Sequence, residues 1–375
     1  MTTETDIPTA PEAQPPAYAE LLERLREAAT LASAAGTLGW DQETLMPRAG
    51  APLRALQLAT LSTLVHERRT DPRVGELIAA CEGDADLTAD ARTAANLREI
   101  RRDYDLATRL PASLVRDFAE TTSLALEAWK DARERSDFAA FAPWLEKVVR
   151  LNRAKAECYG GSASGDGLYD ALLDEYEPGM RTAEIERVFG ALRAELTPLI
   201  AQIADAPQRP SDAPYHVELP IERQQRFNQE IAAQIGFDFG AGRLDTSTHP
   251  FCTGLGPGDT RLTTRYRGDA FPDALSSTLH EAGHGLYEQG LPKAAHWGEP
   301  LGEAASLGIH ESQSRLWENM IGRSRPFWEW ALPRANDAFG GALGAFSVND
   351  MYGTMNLVQP GLIRVDADEA TYNLH

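Results

Sequence analysis

The chain has 375 residues, 43% of them hydrophobic and 25% charged, enough to bury a large core as one big domain or two smaller ones. Its 36 basic and 56 acidic side chains give a formal charge of −20, a surface that repels phosphate backbones and anionic lipid. Nucleic-acid and membrane-surface partners are therefore not expected, whereas the cationic end of a substrate would be drawn in weakly.

Residues 1–16 are acidic and Pro-rich and lack the basic start and apolar run of a signal peptide, so they read as a disordered lead. From there the pattern is helical. "YAELLERLREAATLASAAGTLGWD" sets Leu21, Leu22, Leu25, Ala28, Ala29 and Ala32 on one stripe, and "PLRALQLATLSTLVHERR" repeats it with Leu53, Leu56, Leu61 and Leu64. "LTADARTAANLREIRRDYDLATRL" predicts a third helix. The run from Pro111 to Cys158 predicts two more, with Pro111 and Pro143 near their starts. "TAEIERVFGALRAELTPLIAQIAD" is another amphipathic run, and "GGSASGDGLYD" and "APQRPSDAPYH" are the clearest loops.

Strand signals are few. "HVELP" (216–220) is a short one, while "RLDTSTHPFCTG" and "DTRLTTRYR" alternate and carry Thr, so a small hairpin or sheet is expected near 216–268 in a mainly α fold. No apolar stretch reaches the ~20 residues of a membrane helix. Cys81, Cys158 and Cys252 are far apart, odd in number and free of any Cys-x-x-Cys, which excludes a disulfide framework and points to a reducing cytoplasm.

The chemistry concentrates in "TLHEAGHGLYEQG", which contains His-Glu-x-x-His as His280, Glu281 and His284. Pro272 and Asp273 open a helix here, and Gly290 with Pro292 closes it. Leu275, Leu279, Ala282 and Leu286 share one stripe, and the two histidines stand a turn apart on the opposite side, where two imidazoles can converge on one ion. Zn²⁺ takes neutral imidazole and wants four ligands, one of them left open. Glu281 sits off the His pair, placed to serve as general base toward a water that the metal activates. The alternative is a polar face turned to solvent.

A third ligand is needed. Tyr287 and Gly290 exclude the H-E-x-x-H-x-x-G-x-x-H pattern, so a carboxylate from a second helix is expected. Residues 302–324 read as that helix, and Glu311 lies 27 residues after His284. An i,i+4 pair with Arg315 is the competing reading of Glu311. Glu303 and His310 are rival ligands, and His296 reads as a loop residue.

These residues resemble the carboxypeptidase Taq family of zinc-dependent metallocarboxypeptidases, peptidase family M32. The likeness rests on "HPF" (249–251), "DTRLT" (259–263), "HEAGH" (280–284), "HESQ" (310–313) and "IRVDAD" (363–368), in that order. "LGWDQETLMPRAGAPLRALQLATLSTLVHE" (39–67) and "FAPWLEKVVRLNRAKAE" (141–157) are similar too. The resemblance implies a large all-helical fold with a deep groove, one domain over 17–375, with His280, His284 and Glu311 on zinc, Glu281 as base, and cobalt as a substitute. It implies a cytoplasmic homodimer that takes residues from free peptide C-termini with broad specificity. Arg364 is the candidate for the terminal carboxylate, because a guanidinium fork matches it bidentately; a structural pair with Asp366 or Asp368 is the other reading. His249, Asp259, Arg261 and Thr263 either touch substrate or support the groove wall.

"GLIRVDADEATYNLH" stops at His375 in mid-pattern, and family members continue past this point, so the chain is expected to lack their C-terminal part. Two alternatives follow: an inactive remnant that still binds metal, and a metallo-oligopeptidase indifferent to a free C-terminus.

Overall fold

The computed structural model describes residues 15–160, 167–359, 361 and 368–372. The first half is built from α1 (Pro16–Thr44), α2 (Ala51–Arg69), α3 (Pro72–Glu82), α4 (Ala85–Ala89), α5 (Ala91–Thr108), α6 (Ala112–Glu134), α7 (Phe138–Cys158), α8 (Gly167–Leu173) and α9 (Thr182–Ala204). Then come α10 (Ile221–Gln234), β1 (Gly242–Thr246), β2 (Cys252–Gly256), β3 (Asp259–Thr264), α11 (Phe271–Gly290), α12 (Leu307–Arg315), α13 (Arg325–Ala338), α14 (Val348–Met355) and α15 (Glu369–Tyr372). The fold is thus mainly α with one small sheet, as the pattern predicts. Among the described residues no helix is long and apolar enough to cross a membrane.

Several helices depart from their expected form for local reasons. Residues 1–14 of the expected lead lie outside the described residues, while Pro15 caps α1 and Pro16 opens it. The run at 87–110 is two helices, because Asp90 turns its carboxylate to the Thr93 N–H and caps α5. Pro143 lies inside α7 rather than at its start; Asp137 supplies the cap by accepting from the Ala140 N–H. In α2 the buried face is Ala51, Arg54, Ala55 and Ala59, which lets α1 and α6 pack closely, and Leu53 and Leu56 of the expected core stripe are 61% and 49% exposed.

The sheet has the order β1-β3-β2. β1 runs parallel to β3, with Gly242 opposite Thr260 and Thr246 opposite Thr264. β2 and β3 form an antiparallel hairpin turned by Pro257 and Gly258, the glycine at φ +79°. "HVELP" is not a strand: Ala213–His216 is a 3₁₀ turn, and the Leu219 N–H donates to Gly268 O rather than to the sheet. Among the described residues the sheet is β1-β3-β2 alone, and 216–220 does not pair with it.

α11 is the spine of the second half. Leu275 and Leu279 are buried against Phe227 of α10, Trp328 of α13 and Met351 of α14. Each such side chain stabilises the fold by about 1.5–3 kcal/mol relative to exposure. Ala282 lies instead against Phe237 and Leu262, under the sheet. A second core joins α1, α3 and α5 through Leu21, Leu22, Leu77, Ile78 and Leu97. With one side of α11 on helices and another on the sheet, its polar side is left to face α12.

Candidate metal centre

α11 starts where the sequence predicts, with Pro272 in its first turn, where a missing N–H costs nothing. It ends at Gly290, and Leu291 donates its N–H to Tyr287 O before Pro292 blocks another turn. The helix at 302–324 begins later than expected. Ser306 caps α12 by accepting from the Ile309 N–H, and after Arg315 the chain widens into a π-helical stretch, Leu316–Gly322.

These two helices bring the motif residues together. His280 and His284 are not on a solvated face; their side chains are 22% and 16% exposed. Glu311 Oε2 lies 3.2 Å from His284 Nε2 and 3.5 Å from His280 Nε2. Among the described residues His280, His284 and Glu311 form the group of ligand atoms that lie within 4.8 Å of one another. Arg315 does not pair with Glu311. It reaches Glu369 at 2.6 Å and stacks on the Tyr372 ring, while the Tyr372 hydroxyl donates to Glu311 Oε1 at 3.3 Å. Glu303 and His310 lie outside the cluster.

Each histidine is tied at its far nitrogen. His280 Nδ1 lies 2.8 Å from Glu318 Oε2, and Arg323 holds the other oxygen of Glu318 at 3.1 Å. His284 Nδ1 lies 2.5 Å from His310 Nδ1, whose Nε2 lies 2.8 Å from Glu288 Oε1. Lys293 pairs with Glu288 Oε2. Glu318, Arg323 and Lys293 were not anticipated from sequence. Glu318 had a signal: it follows Glu311 by seven residues, two helical turns on the same face.

Burial and charge set the protonation states. Burial pulls His284 below its usual value, which favours the neutral imidazole that metals take. Burial opposes charge on His280 too, but the Glu318 hydrogen bond and the charges of Glu281, Glu318 and Glu311 outweigh it and raise its pKa. Burial also works against Glu311, yet the hydrogen bond with His284 and the charge of His280 bring it down to about 2. Glu281, only 5% exposed, is pushed up to about 8 by burial; the charge of His280 pulls against this, and the charges of Glu311 and Glu318 add to it.

The donor set fits a divalent cation: two imidazole Nε2 atoms and one carboxylate oxygen converge, and both Nδ1 atoms already have partners. A cavity of about 440 Å³ opens near the C-terminal end of α11, lined by Asp238, Thr260, Leu286, Glu288 and Lys293. It meets the outer end of the His284 chain, not the ligand atoms.

The other expected site residues sit on the sheet or beyond the described chain. Asp259 and Arg261 form a bidentate pair at 2.8 and 2.7 Å, and Arg261 stacks 4.4 Å from the centre of the Trp40 ring, joining β3 to α1. Thr263 is fully buried and accepts from the Phe251 N–H at 2.9 Å and from Ser247 Oγ at 2.7 Å. His249 lies in the loop so held, its carbonyl accepting from Ser247 Oγ at 2.5 Å. Arg364 and Asp366 lie outside the described residues.

The sequence profile of the Carboxypeptidase Taq (M32) metallopeptidases matches residues 20–375. The chain belongs to this family. It is 47% identical over 368 residues to Thermostable carboxypeptidase 1 of Thermus thermophilus, covering 96% of this chain and 71% of that protein. Thermostable carboxypeptidase 1 of Pyrococcus furiosus is 38% identical over 361 residues, covering 95% and 70%. The crystal structure of the M32 carboxypeptidase from Deinococcus radiodurans R1 superposes with a TM-score of 0.85 at 40% identity, covering 96% of this chain and 71% of that one. Membership makes the chain a metallocarboxypeptidase, a hydrolase of peptide bonds whose family works with a metal.

Proposed function

We propose that His280, His284 and Glu311 hold a catalytic Zn²⁺, with Co²⁺ as a substitute, and that Glu281 is the general base for removing C-terminal residues from peptides with broad specificity. The single observation behind this is the convergence of those three ligand atoms within 4.8 Å beside a buried carboxyl. A bound cation would polarise the scissile carbonyl and acidify the attacking water. Glu281 takes that water's proton as the oxygen bonds to the carbonyl carbon. It then delivers the proton to the amine nitrogen as the C–N bond breaks. Burial keeps bulk water from competing for this proton.

Arg364 is assigned to the substrate's terminal carboxylate. His249, Asp259, Arg261 and Thr263 hold the groove wall between the sheet and α1; the Asp259–Arg261 pair, the Thr263 bond to Phe251 and the Trp40 stack support that role. One helical domain over 17–375, a cytoplasmic location and a homodimer belong to the same reading, and the exposed Leu53 and Leu56 of α2 offer apolar surface for a second copy.

The test uses the 375-residue chain loaded with Zn²⁺ or Co²⁺ and a peptide with either a free or an amidated C-terminus. Stepwise, chelator-sensitive shortening of the free peptide alone, read by mass spectrometry, is expected. Equal cleavage of the amidated peptide would replace the exopeptidase with an oligopeptidase. Bound metal without any release would leave a metal-binding protein that lacks turnover.

A further inference from the structure

His310 stands next to Glu311 in sequence, yet it faces away from the ligand atoms and toward His284. The path runs Lys293, Glu288, His310, His284, and each of the four side chains is at most 16% exposed. The cavity at the end of α11 reaches Glu288 and Lys293 but is not lined by His310 or His284, so at the inner links each hydrogen must be assigned to one side of its bond.

The assignment follows from the outer end. Burial opposes charge on Glu288, but hydrogen bonds from His310 and Lys293 bring it below the usual carboxylate range, so it is ionised and accepts twice. Lys293 donates to Oε2. His310 must then donate from Nε2 to Oε1. With its hydrogen placed on Nε2 by Glu288, His310 offers Nδ1 as the acceptor for the hydrogen on His284 Nδ1. That leaves the lone pair of His284 on Nε2, the atom 3.2 Å from Glu311 Oε2. His280 reaches the same outcome in one step, through Glu318. The two ligand histidines are thus oriented differently: one by a carboxylate directly, the other by a carboxylate acting through a second imidazole.

We propose that His310, held by Glu288 and Lys293, is a positioning residue that fixes the tautomer of His284 and thereby the affinity of the site for a divalent cation. The effect on affinity rests on the metal-centre reading above; the tautomer does not. Outer partners of ligating histidines typically carry about 10–100-fold in metal affinity.

Glu288→Gln is the sharpest variant, because it keeps shape and removes one acceptor. Lys293 can only donate, so the amide oxygen turns to it and the amide NH₂ faces His310. His310 Nε2 then accepts, its Nδ1 carries the hydrogen, and His284 is driven to the Nε2–H tautomer. Imidazole ¹⁵N spectra of the metal-free protein, assigned by single His variants, should show His284 protonated on Nδ1 in the parent and on Nε2 in Glu288→Gln. The Zn²⁺ dissociation constant, measured by chelator competition, should rise about 10–100-fold. His310→Leu should weaken binding comparably, and His310→Asn, whose amide oxygen takes the place of Nδ1, should restore most of it.

An unchanged His284 tautomer in Glu288→Gln would overturn the proposal. So would a Zn²⁺ affinity within twofold of the parent in both Glu288→Gln and His310→Leu. His280→Ala separates the two ideas. If it binds Zn²⁺ as the parent does, the metal-centre reading fails, and the ¹⁵N result still decides the tautomer relay.

Discussion

Gly283 lies directly against the backbone of Gln313: a methyl group on Gly283 would stand 2.5 Å from the Gln313 carbonyl oxygen and 2.7 Å from the Ser314 Cα. The glycine sits between His280 and His284, so it sets how closely α12 approaches the face that carries them. Glu311 is two residues from that contact, and its reach to both Nε2 atoms depends on it. Gly283→Ala should force the helices apart, destabilising the fold by about 1–3 kcal/mol. It should weaken Zn²⁺ binding at least tenfold as Glu311 withdraws. Thermal denaturation and chelator competition check the two effects; unchanged affinity would mean that the crossing distance does not position Glu311.

Glu281 shares the helix with the histidines but is absent from the cluster of three ligand atoms. Its loss should therefore remove proton transfer and spare the metal. Glu281→Gln is expected to lower kcat by about 10²–10⁴-fold or more, while elemental analysis still finds one metal per site. Retained wild-type kcat would refute the base assignment. Loss of metal would make Glu281 a ligand.

The period of the apolar residues carried most of the fold, and it reached the site wherever one helix sufficed. Pro272, the stripe of Leu275 and Leu279, and Pro292 bound α11 correctly because each acts within its own turn. What α11 faces was not legible, since a polar side against solvent and a polar side against α12 have the same period. Arg315 shows the reason most plainly. Its i,i+4 partner Glu311 was available locally, but tertiary packing placed Glu369 within reach instead. Glu318 shared the face of Glu311 by period, but only the packing against α11 shows that it meets His280. The leucines of α2 misled in the opposite sense: helices that cross closely bury alanine, and the larger side chains are left outside.

The metal-free protein should lose stability as pH rises, and Glu281 should account for much of it. Its carboxyl is pushed up to about 8 by burial, against 4.5 for the ordinary group. Between those values the unfolded chain has released a proton that the folded chain retains. The unfolded state then binds fewer protons, so stability falls across this window and stays low above it. Glu281→Gln removes the titration. At pH 8.5 the metal-free variant should be more stable than the parent by on the order of 4 kcal/mol, with the two converging below about pH 4.5. Urea denaturation across that range reads the difference. A gap that does not vary with pH would show that Glu281 keeps an ordinary pKa in the folded chain.

Thr263 closes the loop that carries His249, and it does so with one hydroxyl. Thr263 Oγ1 accepts from the Phe251 N–H and from Ser247 Oγ, and it lies 3.2 Å from the Phe251 carbonyl. Val fills the same space without an acceptor, so Thr263→Val leaves the Phe251 N–H unpaired beside a buried side chain, while the Ser247 hydroxyl keeps the His249 carbonyl. The expected cost is about 1–3 kcal/mol of stability. Hydrogen exchange should speed at residues 247–251 and stay unchanged in α11, whose contacts with the helical core do not involve Thr263. KM should rise more than kcat falls, since the loop belongs to the wall and the proton transfer to Glu281. Equal loss of kcat with KM unmoved would instead place the loop at the reacting carbonyl.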